Sequence, residues 1–303
     1  HRCDQAAEAP RRKRGGGISV RVDSGRRSRR LEQVWPSSGP AIMGILNCTP
    51  DSFSDGGRHF EPQQAVRRGV EMLDEGATIV DVGGESTRPG ASPVDAAEEK
   101  RRVLPVIGTL RRAAPDAVIS VDTSKTDVAA EALGAGADIV NDVTAASEPG
   151  MLGLVADHGA GIVLMHMRGE PRTMQSDLTY RHVVAEVHGH LVDRAASAVA
   201  AGIPRNRVWL DPGIGFGKDD DGNLALLAAL GDLAVHGHPV VMGASNKSFI
   251  GRLTGAPVDG RLPGTLGSLV AVLGVPNAVV RVHDPAAARQ FLAIAERVHE
   301  VSA

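Results

Sequence analysis

A chain of 303 residues, 42% of them apolar and carrying a net charge of −3, can bury one large core or two small ones, which excludes a wholly disordered protein. Aromatic residues make up only 3%, too few to supply base-stacking platforms, so nucleic acid is excluded as a partner. No apolar run is long enough to span a bilayer, and Cys3 and Cys48 alone make no disulfide framework, so the expectation is a reduced, cytoplasmic protein without membrane contact.

The charge is unevenly spread. Residues 1–30 hold 10 Lys and Arg against Asp4, Glu8 and Asp23, and they include Arg11-Arg12-Lys13-Arg14-Gly15-Gly16-Gly17. Such a basic, Gly-rich segment reads as a disordered tail over 1–38, with one folded domain over 39–303. No apolar stretch follows the basic residues as a secretory signal requires.

From about residue 40 a rhythm sets in. Apolar, β-branched runs predict strands at 41–46, 78–82, 118–121, 138–140, 161–165, 208–210, 239–242 and 278–282. Helical spacing predicts helices at about 61–76, 95–114, 126–135, 149–159, 181–202, 222–236, 264–274 and 285–300. Gly76, Gly136 and Gly202 stand where helix C-caps belong. The strand runs are apolar throughout, as in a parallel sheet buried on both faces. Eight alternating units predict an α/β fold, a closed TIM (β/α)8 barrel. An open nucleotide-binding sheet needs a G-x-G-x-x-G turn after its first strand, where Asn47-Cys48-Thr49-Pro50 stands instead.

The strand ends carry the chemistry. The first ends in Asn47; the second in Asp81 and the loop Gly83-Gly84-Glu85-Ser86-Thr87-Arg88-Pro89-Gly90; the third in Asp122-Thr123-Ser124. Asn141-Asp142, His166 and Asp211-Pro212-Gly213 follow the next three, then Ser245-Asn246-Lys247, and finally Arg281 and His283-Asp284. One polar strand end can be a helix cap, but eight in succession point to a shared ligand site on the C-terminal face. Asp122, Asn141 and Asp211 suit a flat heterocycle with donors and acceptors, and Lys247 can serve a ring acceptor. Arg88, Arg281 and His283 suit phosphate oxygens, and Asn47 together with a diphosphate suits Mg²⁺. A neutral heterocycle bearing an anionic leaving group is the ligand these types imply. Residues 49–57 and 83–90, rich in Gly, Ser, Thr and Pro, read as lids. His158, His182, His188, His190, His236 and His238 read as solvated rather than as ligands. Gly213-Ile214-Gly215-Phe216-Gly217-Lys218 resembles a phosphate loop only superficially, because Asp219 stands where Ser or Thr is needed.

Over about residues 40–300 these segments resemble the dihydropteroate synthase family, folate-pathway enzymes inhibited by sulfonamides. The resemblance rests on Gly44-Ile45-Leu46-Asn47-Cys48-Thr49-Pro50-Asp51-Ser52-Phe53-Ser54-Asp55-Gly56, on Asp81 to Gly90, and on the segments at Asp122, Asn141, Asp211, Lys247 and Arg281, all in family order. It implies a transferase that condenses 6-hydroxymethyl-7,8-dihydropterin diphosphate with p-aminobenzoate, with Asp122, Lys247 and Arg281 in the catalytic machinery. Asp122, Asn141, Asp211, Lys247 and Arg281 would bind pterin; Asn47, Arg88, Arg281 and His283 the diphosphate, with Mg²⁺ at Asn47. Thr87, Pro89, Phe216, Lys247 and Ser248 would line the p-aminobenzoate pocket, and a homodimer through the late helices is implied. One departure stands out: the family usually has Ser-Arg-Lys where this chain has Ser245-Asn246-Lys247. The alternatives are a non-catalytic pterin-binding paralogue and a methyltetrahydrofolate-binding methyltransferase barrel.

Overall fold

The computed structural model describes residues 24–36, 39–49, 62–86, 90–170 and 172–302. Its strands are β1 (Ala41–Asn47), β2 (Ile79–Gly83), β3 (Val118–Asp122), β4 (Ile139–Asp142), β5 (Gly161–Met165), β6 (Val208–Asp211), β7 (Val240–Met242) and β8 (Ala278–Val282). All are parallel, in sequential order, and β8 returns to pair with β1, closing the barrel. Each expected strand is present. Five of them, β1, β2, β3, β4 and β6, run one or two residues further than apolarity alone suggests, taking in Asn47, Gly83, Asp122, Asn141 and Asp211.

The helices are α1 (Ser24–Glu32), α2 (Pro62–Asp74), α3 (Ala96–Ala113), α4 (Thr126–Ala135), α5 (Met151–Asp157), α6 (Val183–Ala200), α7 (Asp220–Ala228), α8 (Leu230–Ala234), α9 (Ser248–Thr254), α10 (Leu262–Ser268) and α11 (Pro285–Ser302). The single helix expected over 222–236 is broken into α7 and α8, and α9 was not expected. Gly76, Gly136 and Gly202 all have positive φ, and the Gly136 N–H caps α4 on the Ala132 carbonyl.

Alternation divides the core. Residues such as Leu46, Val80, Val121 and Val140 point outward to the helices. Met43, Ile79, Val118, Ile139, Val163, Trp209, Val241 and Val279 fill the barrel, where Leu31, Val34 and Trp35 join them from the N-terminal side. This corrects the disordered reading for residues 24–36. Arg27, Arg30, Leu31 and Val34, spaced i, i+3, i+4 and i+7, form the buried face of this segment. Arg27 donates to the carbonyls of Leu133, Ala137 and His158, and Arg30 binds Asp138. The rest of the expected tail, 1–23, lies outside the described residues. Among the described residues no helix is long and apolar enough to cross a membrane.

Candidate active site

The alternation that buries Ile79, Val118, Ile139, Trp209 and Val279 also turns Asp81, Asp122, Asn141, Asp211 and Arg281 into the barrel, one or two steps nearer the strand C-termini. Arg281 joins them. Its Nε donates to Asp81 Oδ2 and its Nη2 to Asp122 Oδ2, both at 2.7 Å. Asn141 Nδ2 donates to the same Asp81 oxygen at 3.0 Å. Asp81 is fully buried, and among the described residues its Oδ1 has no hydrogen-bond partner.

These contacts set the electrostatics. Burial raises the pKa of Asp122 well above the carboxylate range; Arg281 opposes the rise, while Asp81, Glu99 and Asp142 add to it. Burial raises Asp211 too, against the Gly213 N–H, Lys247 and Arg281. Burial works against the Arg281 guanidinium, yet Asp81 and Asp122 hold it above its ordinary value. Asp81, Asp122 and Asp211 therefore face Arg281 and Lys247, with the buried Lys218 ammonium also acting on Asp211. Carboxylate oxygens on the cleft wall suit a ligand that presents N–H groups.

The opposite wall is apolar. Phe216 packs with Val143, Met165 and Met174, and the Lys247 ammonium stands 3.7 Å from the Phe216 ring centroid. One cleft is lined by Asp122, Asn141, Met165, Asp211, Phe216, Lys247 and Arg281. The chain after β6 reaches this wall by a turn that only glycine allows. Gly213 has φ of +68°, and a Cβ there would lie 1.9 Å from the His166 carbonyl oxygen.

At the rim, Ser245 Oγ lies 2.9 Å from His283 Nδ1 and accepts from the His283 backbone N–H at 3.2 Å. The two contacts with Ser245 fix the orientation of the His283 ring at the rim. Asn47 ends β1 with inward parity and is half-buried. Asn246 has φ of +57°, a left-handed conformation that Asn tolerates better than most residues. Its N–H donates to Thr265 Oγ1 at 3.0 Å, and its carbonyl accepts from Arg261. Ser248 opens α9 and accepts from Arg252 at 3.1 Å. Thr87, Arg88 and Pro89, and most of the first loop (50–57), lie outside the described residues. Among the described residues no group of three His, Cys, Asp or Glu can hold a metal by itself. Burial pushes the Cys48 thiol up to about 12, which rules it out as a thiolate nucleophile near neutral pH.

The family model described as pterin binding enzyme matches residues 43–283. The dihydropteroate synthase of Escherichia coli strain K12 is 45% identical over 247 residues, covering 82% of this chain and 87% of that protein. That of Mycobacterium leprae is 46% identical over 254 residues, covering 80% and 88%. The chain belongs to the dihydropteroate synthase family of pterin-binding enzymes. Solved members share its shape. The Xanthomonas albilineans enzyme with 4-aminobenzoic acid superposes with a TM-score of 0.80 at 44% identity, over 86% of this chain and 93% of that one. The same enzyme in complex with 7,8-dihydropteroate gives 0.78 at 41%, over 88% and 95%.

Within this family member, the structure brings together Asp122, Asn141, Asp211, Phe216, Lys247 and Arg281, and places Asn47 and His283 at the same end of the barrel. Three participants had no role in the sequence reading. Asp81 was visible as a strand-end carboxylate, but its partners are residues 60 and 200 positions away. Ser245 is likewise defined by a contact across the fold, and Lys218 by contacts within its own loop together with His166, 52 positions away. His188 and His238 are buried rather than solvated, and His190 stacks edge-on against His166 at 5.2 Å.

Proposed function

We propose that the protein is a dihydropteroate synthase, which joins 6-hydroxymethyl-7,8-dihydropterin diphosphate to p-aminobenzoate and releases diphosphate. The observation that carries the reading is Arg281 bridging Asp81 and Asp122 beside Asn141, Asp211 and Lys247 in one cleft. Pterin ring N–H groups donate to Asp122, Asn141 and Asp211, and Lys247 donates to a ring acceptor. Arg281 lies against the ring and reaches the diphosphate, which Asn47, Arg88 and His283 also hold. Thr87, Pro89, Phe216, Lys247 and Ser248 line the p-aminobenzoate pocket.

The reaction breaks the methylene C–O bond, whose electron pair leaves with diphosphate. The aniline nitrogen then forms the C–N bond and gives its proton to solvent. Asp122 stabilises positive charge developing on the pterin, while Arg88, Arg281 and His283 stabilise the negative charge on the leaving group. Catalysis is positioning and electrostatics, with no side chain needed as nucleophile. The hard, neutral amide oxygen of Asn47 suits Mg²⁺ that takes its other ligands from diphosphate and water. An ion held there by Asn47 would neutralise charge on the diphosphate.

A homodimer and a cytoplasmic location belong to the same proposal. Leu224 on α7, Leu253 on α9 and Val270 after α10 are exposed around one apolar cleft on the late helices. The buried free thiol of Cys48 suits a reducing compartment. Diphosphate and dihydropteroate appearing only when both substrates are supplied is the expected result. Pterin diphosphate binding without turnover would refute it.

A further inference from the structure

Lys218 is as buried as any core leucine, 1% exposed, and the reaction as derived makes no use of it. Its Nζ donates to the carbonyls of Gly213 at 2.9 Å and Phe216 at 2.8 Å, both in the loop after β6. The same nitrogen donates to the His166 carbonyl at 3.1 Å, and His166 Nδ1 also lies at 3.1 Å, just beyond β5. Three N–H bonds thus meet three carbonyls, and one ammonium ties the loop to the neighbouring strand end. Burial pushes the Lys218 pKa down to about 7; Asp211 opposes this, while Lys247 and Arg168 add to it. A neutral amine has two N–H bonds and leaves one of the three carbonyls unserved.

Other bonds also hold the loop: the Gly213 N–H donates to Asp211 Oδ1 at 2.7 Å, the Gly215 N–H to Asn223 Oδ1 at 2.6 Å, and the Tyr180 hydroxyl to the Gly217 carbonyl at 2.9 Å. Lys218 is the group that joins the Gly213 and Phe216 carbonyls to His166. Gly213, Gly215 and Gly217 all have positive φ, so its backbone carries little conformational preference of its own. Gly213 is pressed against His166, and Gly215 lies under Lys247, whose Cδ a Cβ there would meet at 3.1 Å. What the loop delivers to the cleft is Phe216, with the Lys247 ammonium over its ring at 3.7 Å.

We propose that Lys218 is a positioning residue: its buried ammonium fixes the Gly213–Phe216 loop, hence the Phe216 ring and the Lys247 ammonium that rests on it. The motif that resembles a phosphate loop therefore turns its lysine inward, onto its own backbone. The inference rests on the functional reading only in assigning Phe216 and Lys247 to the p-aminobenzoate side of the site. Asp122, Asn141 and Arg281 are anchored separately, through Asp81.

The test is a double-mutant cycle on the full chain with Lys218→Met, Phe216→Ala and the pair. Kinetics are measured with both substrates and Mg²⁺. In parallel, the Phe216 resonance is followed by ¹⁹F NMR in protein labelled with 4-fluorophenylalanine. Lys218→Met should raise KM for p-aminobenzoate by about tenfold with kcat kept within about threefold, and adding it to Phe216→Ala should cost little more. The Phe216 resonance should move or broaden in Lys218→Met. If Lys218→Met does not fold, Lys218→Gln, which retains two N–H donors, takes its place with the same expected direction. An unchanged resonance with unchanged KM, or additive losses confined to kcat, would overturn the proposal. A wild-type protein without turnover would defeat the functional reading alone, since the ¹⁹F measurement still decides what Lys218 holds.

Discussion

Asp138→Asn keeps the volume of the side chain and removes one charge from the closed end of the barrel, about as far from the chemistry as the fold allows. Asp138 is fully buried, opens the approach to β4, and faces three guanidinium groups. Arg30 Nη2 and Arg111 Nη2 each donate to it at 2.6 Å, Arg27 Nε stands 3.7 Å away, and the Ile119 N–H donates at 3.1 Å. Removing one partner of a buried ion pair costs about 3–5 kcal/mol, because the other charge is left stranded. Here Arg27 keeps three carbonyls and Arg111 keeps those of Gly136 and Ala117, so the loss falls mainly on Arg30. The expected destabilisation is therefore near the lower end, about 3 kcal/mol. With a urea dependence of about 3 kcal/mol per molar, the unfolding midpoint should fall by about 1 M. Trp35 and Trp209 pack at 5.5 Å between centroids at this end, so tryptophan fluorescence should report the unseating of residues 24–36. Trypsin should cut sooner after Arg29 and Arg30. A midpoint unchanged within 0.3 M, with tryptophan emission unaltered, would refute the claim that this segment is held by the Asp138 cluster.

Other consequences are open to direct measurement. Asp122→Asn and Arg281→Ala should each lower kcat/KM by about 10²–10³ while leaving far-UV circular dichroism intact; near-normal turnover in either would remove that residue from the mechanism. Burial, with the nearby Lys218 ammonium and His190, pushes the His166 pKa from 6.5 down to about 3. Between those values the unfolded chain holds a proton that the folded chain does not. The stability this confers is complete above about pH 6.5 and is lost as pH falls, by at most about 1.4 kcal/mol per unit. Asp122, Asp142 and Asp211 are raised and act with the opposite sign, so the reading is the stability difference between wild type and His166→Gln. That difference should shrink from pH 6.5 towards pH 4, and a constant difference would contradict the assignment. Finally, Val270→Asp on the exposed apolar face should yield a monomer in sedimentation velocity where the unaltered chain is a dimer, and two identical profiles would place any interface elsewhere.

Much of this was legible in the sequence because a parallel barrel writes itself in period. Each strand is a short apolar run, and the polar residue that ends it is where the chain emerges onto the working face. Asn47, Asp122, Asn141, Asp211 and Arg281 were found that way. Contacts between strands were not legible. Asp81 reads as one more strand-end acid until the closed barrel sets it beside Arg281, 200 residues later. Residues 24–36 misled for a different reason. Arginines at i and i+3 signal solvent in most segments, and only the carbonyl ends of α4 and α5, with Asp138, make their burial favourable. Lys218 was set aside because its neighbour broke a phosphate-binding pattern, while its partners lie in its own loop and beyond β5. Asn246 gains an explanation once its φ of +57° is known, since the position asks for a residue at ease there.

The most direct test of the account is a coupled assay of the purified protein with 6-hydroxymethyl-7,8-dihydropterin diphosphate, p-aminobenzoate and Mg²⁺, following diphosphate and dihydropteroate together. The account predicts the two products in equal amounts, and neither when p-aminobenzoate is withheld. Diphosphate without dihydropteroate, or neither product while the pterin diphosphate stays bound, would contradict it.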